Sequence, residues 1–215
     1  MKPLAIFGGT FDPIHIGHLS VAWEASEQLD AEVRLMPASV PPHRSSPTAS
    51  AEQRVNMLRA ALRGQSRLTL DTRELDRSGP SYTVDTLDEL RSEFGERPLV
   101  LLLGADAFAG LRSWHRWRDL FSITHIGVIN RPGVEACIPV ELERAVAPRR
   151  TDDPAVIRGQ PAGRVIELAV TPLEVSATRI RELLAAGRDP RYLLPAGLFD
   201  DPALLAPYRE QHSPR

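Results

Sequence analysis

Leu4-Ala5-Ile6-Phe7 runs into Gly8-Gly9-Thr10-Phe11-Asp12-Pro13-Ile14-His15-Ile16-Gly17-His18, an apolar strand followed by a glycine loop and then a helical pattern. Glycines let a backbone approach a phosphate closely, and a helix N-terminus presents unpaired N–H groups with positive potential. His15 and His18, three apart at that terminus, add ring N–H donors without a permanent charge. A tight turn with His18 standing in as N-cap and His15 at the surface would account for either histidine alone. Both together, in a glycine frame directly after a first strand, point to an anion-binding loop.

The same alternation continues outward. Glu32–Met36, Leu68–Asp71, Leu99–Leu103, Ile123–Asn130 and Arg164–Val170 read as further strands. Several are apolar along their whole length, as strands covered on both faces must be. Between them, Leu19, Ala22, Ser26 and Leu29 fall on one helical face, and Ser50 with Gln53 forms a capping box ahead of Val55, Leu58 and Leu62. Val84, Leu87, Leu90 and Phe94 mark a third helix with Asp85 in its first turn. A fourth begins near Ser176, turns Ile180, Leu183 and Leu184 inward, and stops at Gly187. Strands alternating with helices predict an α/β fold: a Rossmann-like, doubly wound, mostly parallel sheet with right-handed crossovers and a small C-terminal helical part. The expected division is one α/β domain over 1–187 and a tail over 188–215 that packs on it or trails from it. The stretch from Gly133 to Gly163 carries no assignment.

With 26 Lys+Arg against 28 Asp+Glu in 215 residues and a pI near 6.3, the chain has no basic excess, so nucleic-acid binding is not expected. No apolar run is long enough to span a bilayer, and one cysteine, Cys137, allows neither an internal disulfide nor a cysteine zinc cluster. The expectation is a cytoplasmic protein with no membrane partner; the residues do not indicate an oligomeric state. Twenty-five of the basic residues are Arg, and Lys2 is the only Lys. A Walker phosphate loop, which needs a Lys after its glycines, is therefore excluded, as is an interior Schiff base. Anions must be met by His, Arg and backbone N–H groups.

In such sheets ligands lie beyond the carboxyl ends of the strands, so the segments that follow the strands carry the chemistry. His15-Ile16-Gly17-His18 resembles the HxGH mark of the nucleotidylyltransferases that share a catalytic fold with class I aminoacyl-tRNA synthetases. Val175-Ser176-Ala177-Thr178-Arg179-Ile180-Arg181 is similar to the serine/threonine segment ending in Arg that small adenylyltransferases use; family members more often have Ser where Ala177 stands. Pro41-Pro42-His43-Arg44, Ser81-Tyr82-Thr83-Val84-Asp85-Thr86-Leu87, Gly104-Ala105-Asp106-Ala107-Phe108 and Trp114-His115-Arg116-Trp117 follow in matching order. Together these segments, from Phe7 to about Arg181, resemble the bacterial nicotinate-mononucleotide adenylyltransferases.

The resemblance implies that nicotinate mononucleotide and ATP are joined, with release of pyrophosphate. It assigns His15, His18 and Arg181 to catalysis, and Gly8, Gly9, Thr10, Phe11, Gly104, Asp106 and Ser176, with those three, to ATP. His43 and Arg44 would meet phosphate, Tyr82, Thr83 and Thr86 would line the mononucleotide pocket, Trp114 would stack on the pyridine ring, and Arg131 would close the pocket. Mg²⁺ is implied with ATP, held by substrate and water rather than by protein ligands, and Asp12 reads as a loop-shaping residue. Structural alternatives exist for several positions: Trp114 and Trp117 as core anchors, Asp106 as an N-cap, Ser176 as an ordinary cap, and Arg116 and Arg118 as solvated. Two other functions remain, a related transferase with another acceptor (nicotinamide mononucleotide, phosphopantetheine or FMN) and a non-catalytic nucleotide-binding regulator.

Overall fold

The computed structural model describes residues 1–39, 46–77, 79, 81–130, 138–171 and 173–209. His43, Arg44, Arg131 and Cys137 lie outside the described residues. The elements run β1 (Leu4–Gly9), α1 (Ile16–Leu29), β2 (Glu32–Pro37), α2 (Ala51–Ala61), β3 (Leu68–Leu70), α3 (Arg73–Asp76), α4 (Thr83–Phe94), β4 (Leu99–Gly104) and α5 (Ala105–Ala109). They continue through α6 (Leu120–Ile123), β5 (His125–Asn130), α7 (Val140–Val146), β6 (Arg150–Thr151), α8 (Pro154–Arg158), β7 (Val165–Ala169) and α9 (Ala177–Ala185), and 3-10 turns at Ala196–Leu198 and Pro202–Tyr208 follow.

Seven strands form one sheet in the order β3-β2-β1-β4-β5-β7-β6, and every pairing is parallel. The order reverses between β1 and β4, which is where a doubly wound sheet opens a crevice for ligands. Because Phe7 pairs with Leu102, the glycines ending β1 and Gly104 ending β4 reach the same edge of that crevice.

Side-chain alternation along the strands sorts the interior into two cores. Ala5, Val33, Leu35, Val100, Leu102, Ile166 and Leu168 face one side, packed with residues of α1, α2, α8, α9 and the C-terminal segment. Leu4, Ile6, Leu99, Leu101, Leu103, Ile126 and Val128 face the other, against α4, α6 and α7. Both faces being covered explains the unbroken apolar run of β4.

Three boundaries depart from the sequence expectation. The expected strand over Ile123–Asn130 begins only at His125, because Leu120–Ile123 closes a helical turn in which the Thr124 N–H donates to the Leu120 carbonyl at 2.9 Å. The unassigned stretch before Gly163 contributes α7, α8 and the two-residue edge strand β6, whose Arg150 is paired with Glu143 and Glu167. The sheet is wholly parallel rather than mostly so, among the described residues.

Candidate active site

The β1–α1 loop builds the site's floor. Phe11 is buried with a positive φ of 51°, and its ring lies so close under the loop that a Cβ on Gly9 would come within 2.8 Å of it. Gly9 is therefore required for the loop to close over Phe11. Gly17 has a related constraint: a Cβ there would sit 3.1 Å from His15 Nδ1 and 3.7 Å from Val175 Cβ. The absent side chain leaves room both for the His15 ring and for the approach to α9.

His15 is the N-cap of α1 and only 6% exposed, so the surface alternative for it fails. Its ring stacks on that of His18 with centroids 3.6 Å apart, and the edge of Phe11 meets His18 at 5.1 Å. The His15 N–H donates to His18 Nδ1 at 3.4 Å, which puts the proton of a neutral His18 ring on Nε2. Burial lowers the His15 pKa to about 4, and burial together with the adjacent His15 lowers that of His18 to about 3. Both rings are thus neutral near pH 7, and His15 Nδ1 has no hydrogen-bond partner inside the protein among the described residues.

Arg181 joins them from the far end of the chain. Its Nη1 donates to the Asp12 carbonyl at 2.8 Å, and Nη2 donates to Thr178 Oγ1 at 3.2 Å. Ser176 is the exposed N-cap of α9, its Oγ accepting from the Arg179 N–H at 3.2 Å, so the ordinary capping role is real. The hydroxyl keeps its own proton to donate elsewhere. The first-turn amide of Ile16 is not free for a ligand, because it donates to the Leu193 carbonyl of the C-terminal segment at 3.1 Å.

Gly8, Thr10, Gly104 and Asp106 line the same strand ends; Gly8, Gly104 and Asp106 are exposed. Gly104, and not Asp106, is the N-cap of α5, which leaves Asp106 in the first turn of that helix.

A second cluster forms at the start of α4. Tyr82, its N-cap, is 45% exposed, and its ring meets that of His115 at a tilt of 35° with centroids 4.4 Å apart. Arg116 pairs with Asp119 and reaches Asp85 and Asp88 of α4, tying the Trp114–Trp117 turn to that helix. Thr83 and Trp114 are half-buried there. Trp117, by contrast, is 8% exposed and packs edge-on against Phe121, a core anchor. Arg116 and Arg118 are exposed but ion-paired rather than simply solvated. Thr86 departs from expectation, being 1% exposed with its hydroxyl turned inward: it donates to Glu74 Oε1 at 3.1 Å and accepts from Arg77 Nη1 at 3.2 Å. Thr86 thus braces the start of α4 against Glu74 and Arg77 instead of presenting its hydroxyl outward.

Two residues with no sequence signal organise the loop. Arg54 of α2, 1% exposed, donates from Nη1 to the Thr10 carbonyl at 2.8 Å and the Ala38 carbonyl at 3.1 Å. Tyr208, 1% exposed, donates its hydroxyl proton to Asp12 Oδ1 at 2.8 Å. Asp12 also accepts from the Thr48 and Ala49 N–H groups at 2.8 and 3.0 Å, in keeping with its loop-shaping reading. No group of three or more His, Cys, Asp or Glu able to hold a metal occurs among the described residues, and no described helix is long and apolar enough to cross a membrane.

Residues 6–183 match the family described as Cytidylyltransferase-like. A protein of Halorhodospira halophila named "Probable nicotinate-nucleotide adenylyltransferase" is 50% identical over 196 residues, covering 91% of this chain and 90% of that one. A protein of the same name from Dechloromonas aromatica is 48% identical over 204 residues, covering 93% and 94%. In fold, the chain is similar to the nicotinic acid mononucleotide adenylyltransferase of Plasmodium falciparum complexed with NaAD, with TM-score 0.68, 17% identity and coverage of 96% and 94%. Strand order, the histidine loop and these relatives agree, and the chain belongs to the Cytidylyltransferase-like family and, within it, to the nicotinate-nucleotide adenylyltransferases.

Proposed function

We propose that the protein transfers the adenylyl group of MgATP to the phosphate of nicotinate mononucleotide in the cytoplasm, releasing pyrophosphate and forming nicotinate adenine dinucleotide. The observation that carries this reading is the meeting of Arg181 with the histidine loop at Asp12, 169 residues away in sequence. A fixed positive charge bonded to the loop that carries the two neutral histidines supports the reading.

A phosphate oxygen of the mononucleotide attacks the α-phosphorus of ATP, forming one P–O bond while the bond to the leaving pyrophosphate breaks. With a second pKa of about 6, that phosphate is mostly ionised at neutral pH and needs no general base. What the protein must supply is in-line alignment and stabilisation of charge on the equatorial and leaving oxygens. His18, protonated on Nε2, and His15 serve as neutral donors, and Arg181 contributes the permanent charge. Gly8 and Gly9 allow close approach of the chain to phosphate, and Thr10, Phe11 and Ser176 complete that side. Asp106 and Gly104, at the end of β4, are suited to the adenosine ribose. Trp114, Tyr82 and Thr83 form the face for the pyridine ring and its ribose, with Thr86 behind them, and His43, Arg44 and Arg131 are assigned to the mononucleotide from sequence. Mg²⁺ arrives with ATP, neutralising its phosphates as part of the substrate.

The test is pyrophosphate release from MgATP with nicotinate mononucleotide, nicotinamide mononucleotide, phosphopantetheine and FMN in parallel. Strong preference for nicotinate mononucleotide is expected. Turnover with phosphopantetheine or FMN instead would retain the histidine chemistry and overturn the pocket assignment. ATP binding without turnover would identify a regulator.

A further inference from the structure

Apart from Arg181, the groups around Asp12 form a buried network that the transfer reaction itself does not call upon. Asp12 is 6% exposed, and a carboxylate this deep needs several donors to offset its lost hydration. Oδ2 accepts from the Thr48 N–H, Oδ1 from the Ala49 N–H and from the Tyr208 hydroxyl, and Arg181 Nη1 stands 4.0 Å from Oδ2 while bonding the Asp12 carbonyl. One residue thus joins the entry to α2, the last turn of the described C-terminal segment, and the arginine of α9. Arg54 holds the adjoining Thr10 carbonyl from the other side.

We propose that Tyr208 is a positioning residue of the transfer site, holding Asp12 so that Arg181 and the backbone from Thr10 to His15 keep their alignment. The proposal rests on the adenylyl-transfer reading and adds to it the C-terminal segment. Three observations carry it. The Tyr208 hydroxyl is buried and spends its single proton on Asp12 at 2.8 Å, the other near atom being Met57 Sδ at 3.9 Å. Burial, reinforced by the Asp12 charge, pushes the Tyr208 hydroxyl up from its ordinary range, so it is a donor at every working pH. The same segment places the Leu193 carbonyl on the Ile16 N–H, the first amide of α1, so it grips the loop on both sides of His15. A tail needed only for core coverage would require the Leu194, Leu198 and Leu205 side chains but no hydroxyl on Tyr208.

The experiment is Tyr208→Phe in the full chain, which keeps the ring in the core and removes one oxygen, alone and combined with Arg181→Lys. We expect kcat to fall about tenfold, with KM for nicotinate mononucleotide within about twofold of wild type. In the Arg181→Lys background the same change should cost less than about threefold, because the group it positions is already compromised. Unchanged kcat in Tyr208→Phe, or an undiminished cost beside Arg181→Lys, would overturn the proposal. So would a loss that merely parallels a lower melting temperature and disappears on cooling. If the wild type releases no pyrophosphate with nicotinate mononucleotide, the activity reading fails, and MgATP affinity measured by calorimetry becomes the readout. Weakening of that affinity by about tenfold in Tyr208→Phe supports positioning, and an unchanged affinity refutes it.

Discussion

His15 occupies a position where structure and chemistry make opposite demands. Asn, Asp and Ser are the preferred N-caps, whereas His15 caps α1 with an Nδ1 left unpartnered in the interior. A ring that poorly suits its helix is best explained by a ligand it serves. Removal of its partner, His18→Ala, should lower kcat by about 10²–10³-fold, the range found for a lost charge-stabilising donor. Steady-state kinetics with far-UV circular dichroism would check this, and near-full kcat would exclude His18 from the chemistry. His15→Asn should abolish most activity while holding or raising the melting temperature at pH 7, since Asn is the better cap by about 1 kcal/mol. The same pair makes stability depend on pH. Both rings titrate near 6.5 when unfolded but near 4 and 3 when folded, so below pH 6.5 the unfolded chain binds protons that the native one refuses. Stability is therefore fully present above pH 6.5 and lost as pH falls from there toward 3. His15→Asn should flatten this decline without removing it, because His18, lowered chiefly by burial, and buried His125 still have lowered pKa values. Urea titrations at pH 7 and 4.5 would measure both slopes, and equal slopes would refute the assignment.

At the scale of elements, what could be read in the chain was what local chemistry dictates. The Ser50–Gln53 capping box is present in both directions, with the Gln53 N–H on Ser50 Oγ at 3.2 Å and the Ser50 N–H on Gln53 Oε1 at 2.8 Å. α4, α9 and the Gly187 stop, at a φ of +69°, are equally local and were equally legible. Ser50→Ala should accordingly cost about 1 kcal/mol of stability and leave kcat unchanged, because the cap is exposed. Chemical denaturation and one kinetic assay would test it, and a loss of activity at unchanged stability would contradict it. Legibility failed where a neighbour decides. The apolar run Leu120–Phe121 and Ile123 before β5 suits strand or helix alike, and packing of all three in the second core selects the helical turn. Thr86 is turned inward by Glu74 and Arg77, residues nine or more positions away, and no spacing within Ser81–Leu87 records that.

At the scale of the whole molecule, the fold was legible because a doubly wound sheet follows from strand–helix alternation, and the histidine pair of the candidate site because both lie in one loop. The manner in which the chain end closes on that loop was not, since Tyr208 and Asp12 meet across 196 residues and nothing near either one announces the other. Gly197 is the sharpest case. In sequence it sits in a Pro-Ala-Gly turn, where glycine usually means backbone freedom. In the structure its significance is proximity: a Cβ there would lie 2.5 Å from the Ala60 carbonyl oxygen of α2, inside contact distance of backbone that cannot move aside alone. The neighbouring Leu198 is fully buried in the core shared with α2, so the segment cannot lift away without exposing it. Gly197→Ala, often harmless on a surface, should therefore destabilise by about 1–3 kcal/mol, the ordinary cost of overpacking. For a chain of this size that is about 2–4 °C in melting temperature per kcal/mol. Because the same segment carries Leu193 to Ile16 and Tyr208 to Asp12, strain at Gly197 should also lower kcat at a temperature where the variant is fully folded. Gly197→Ala with wild-type melting and wild-type kcat would mean that the C-terminal segment rests on α2 more loosely than the contact at Ala60 requires.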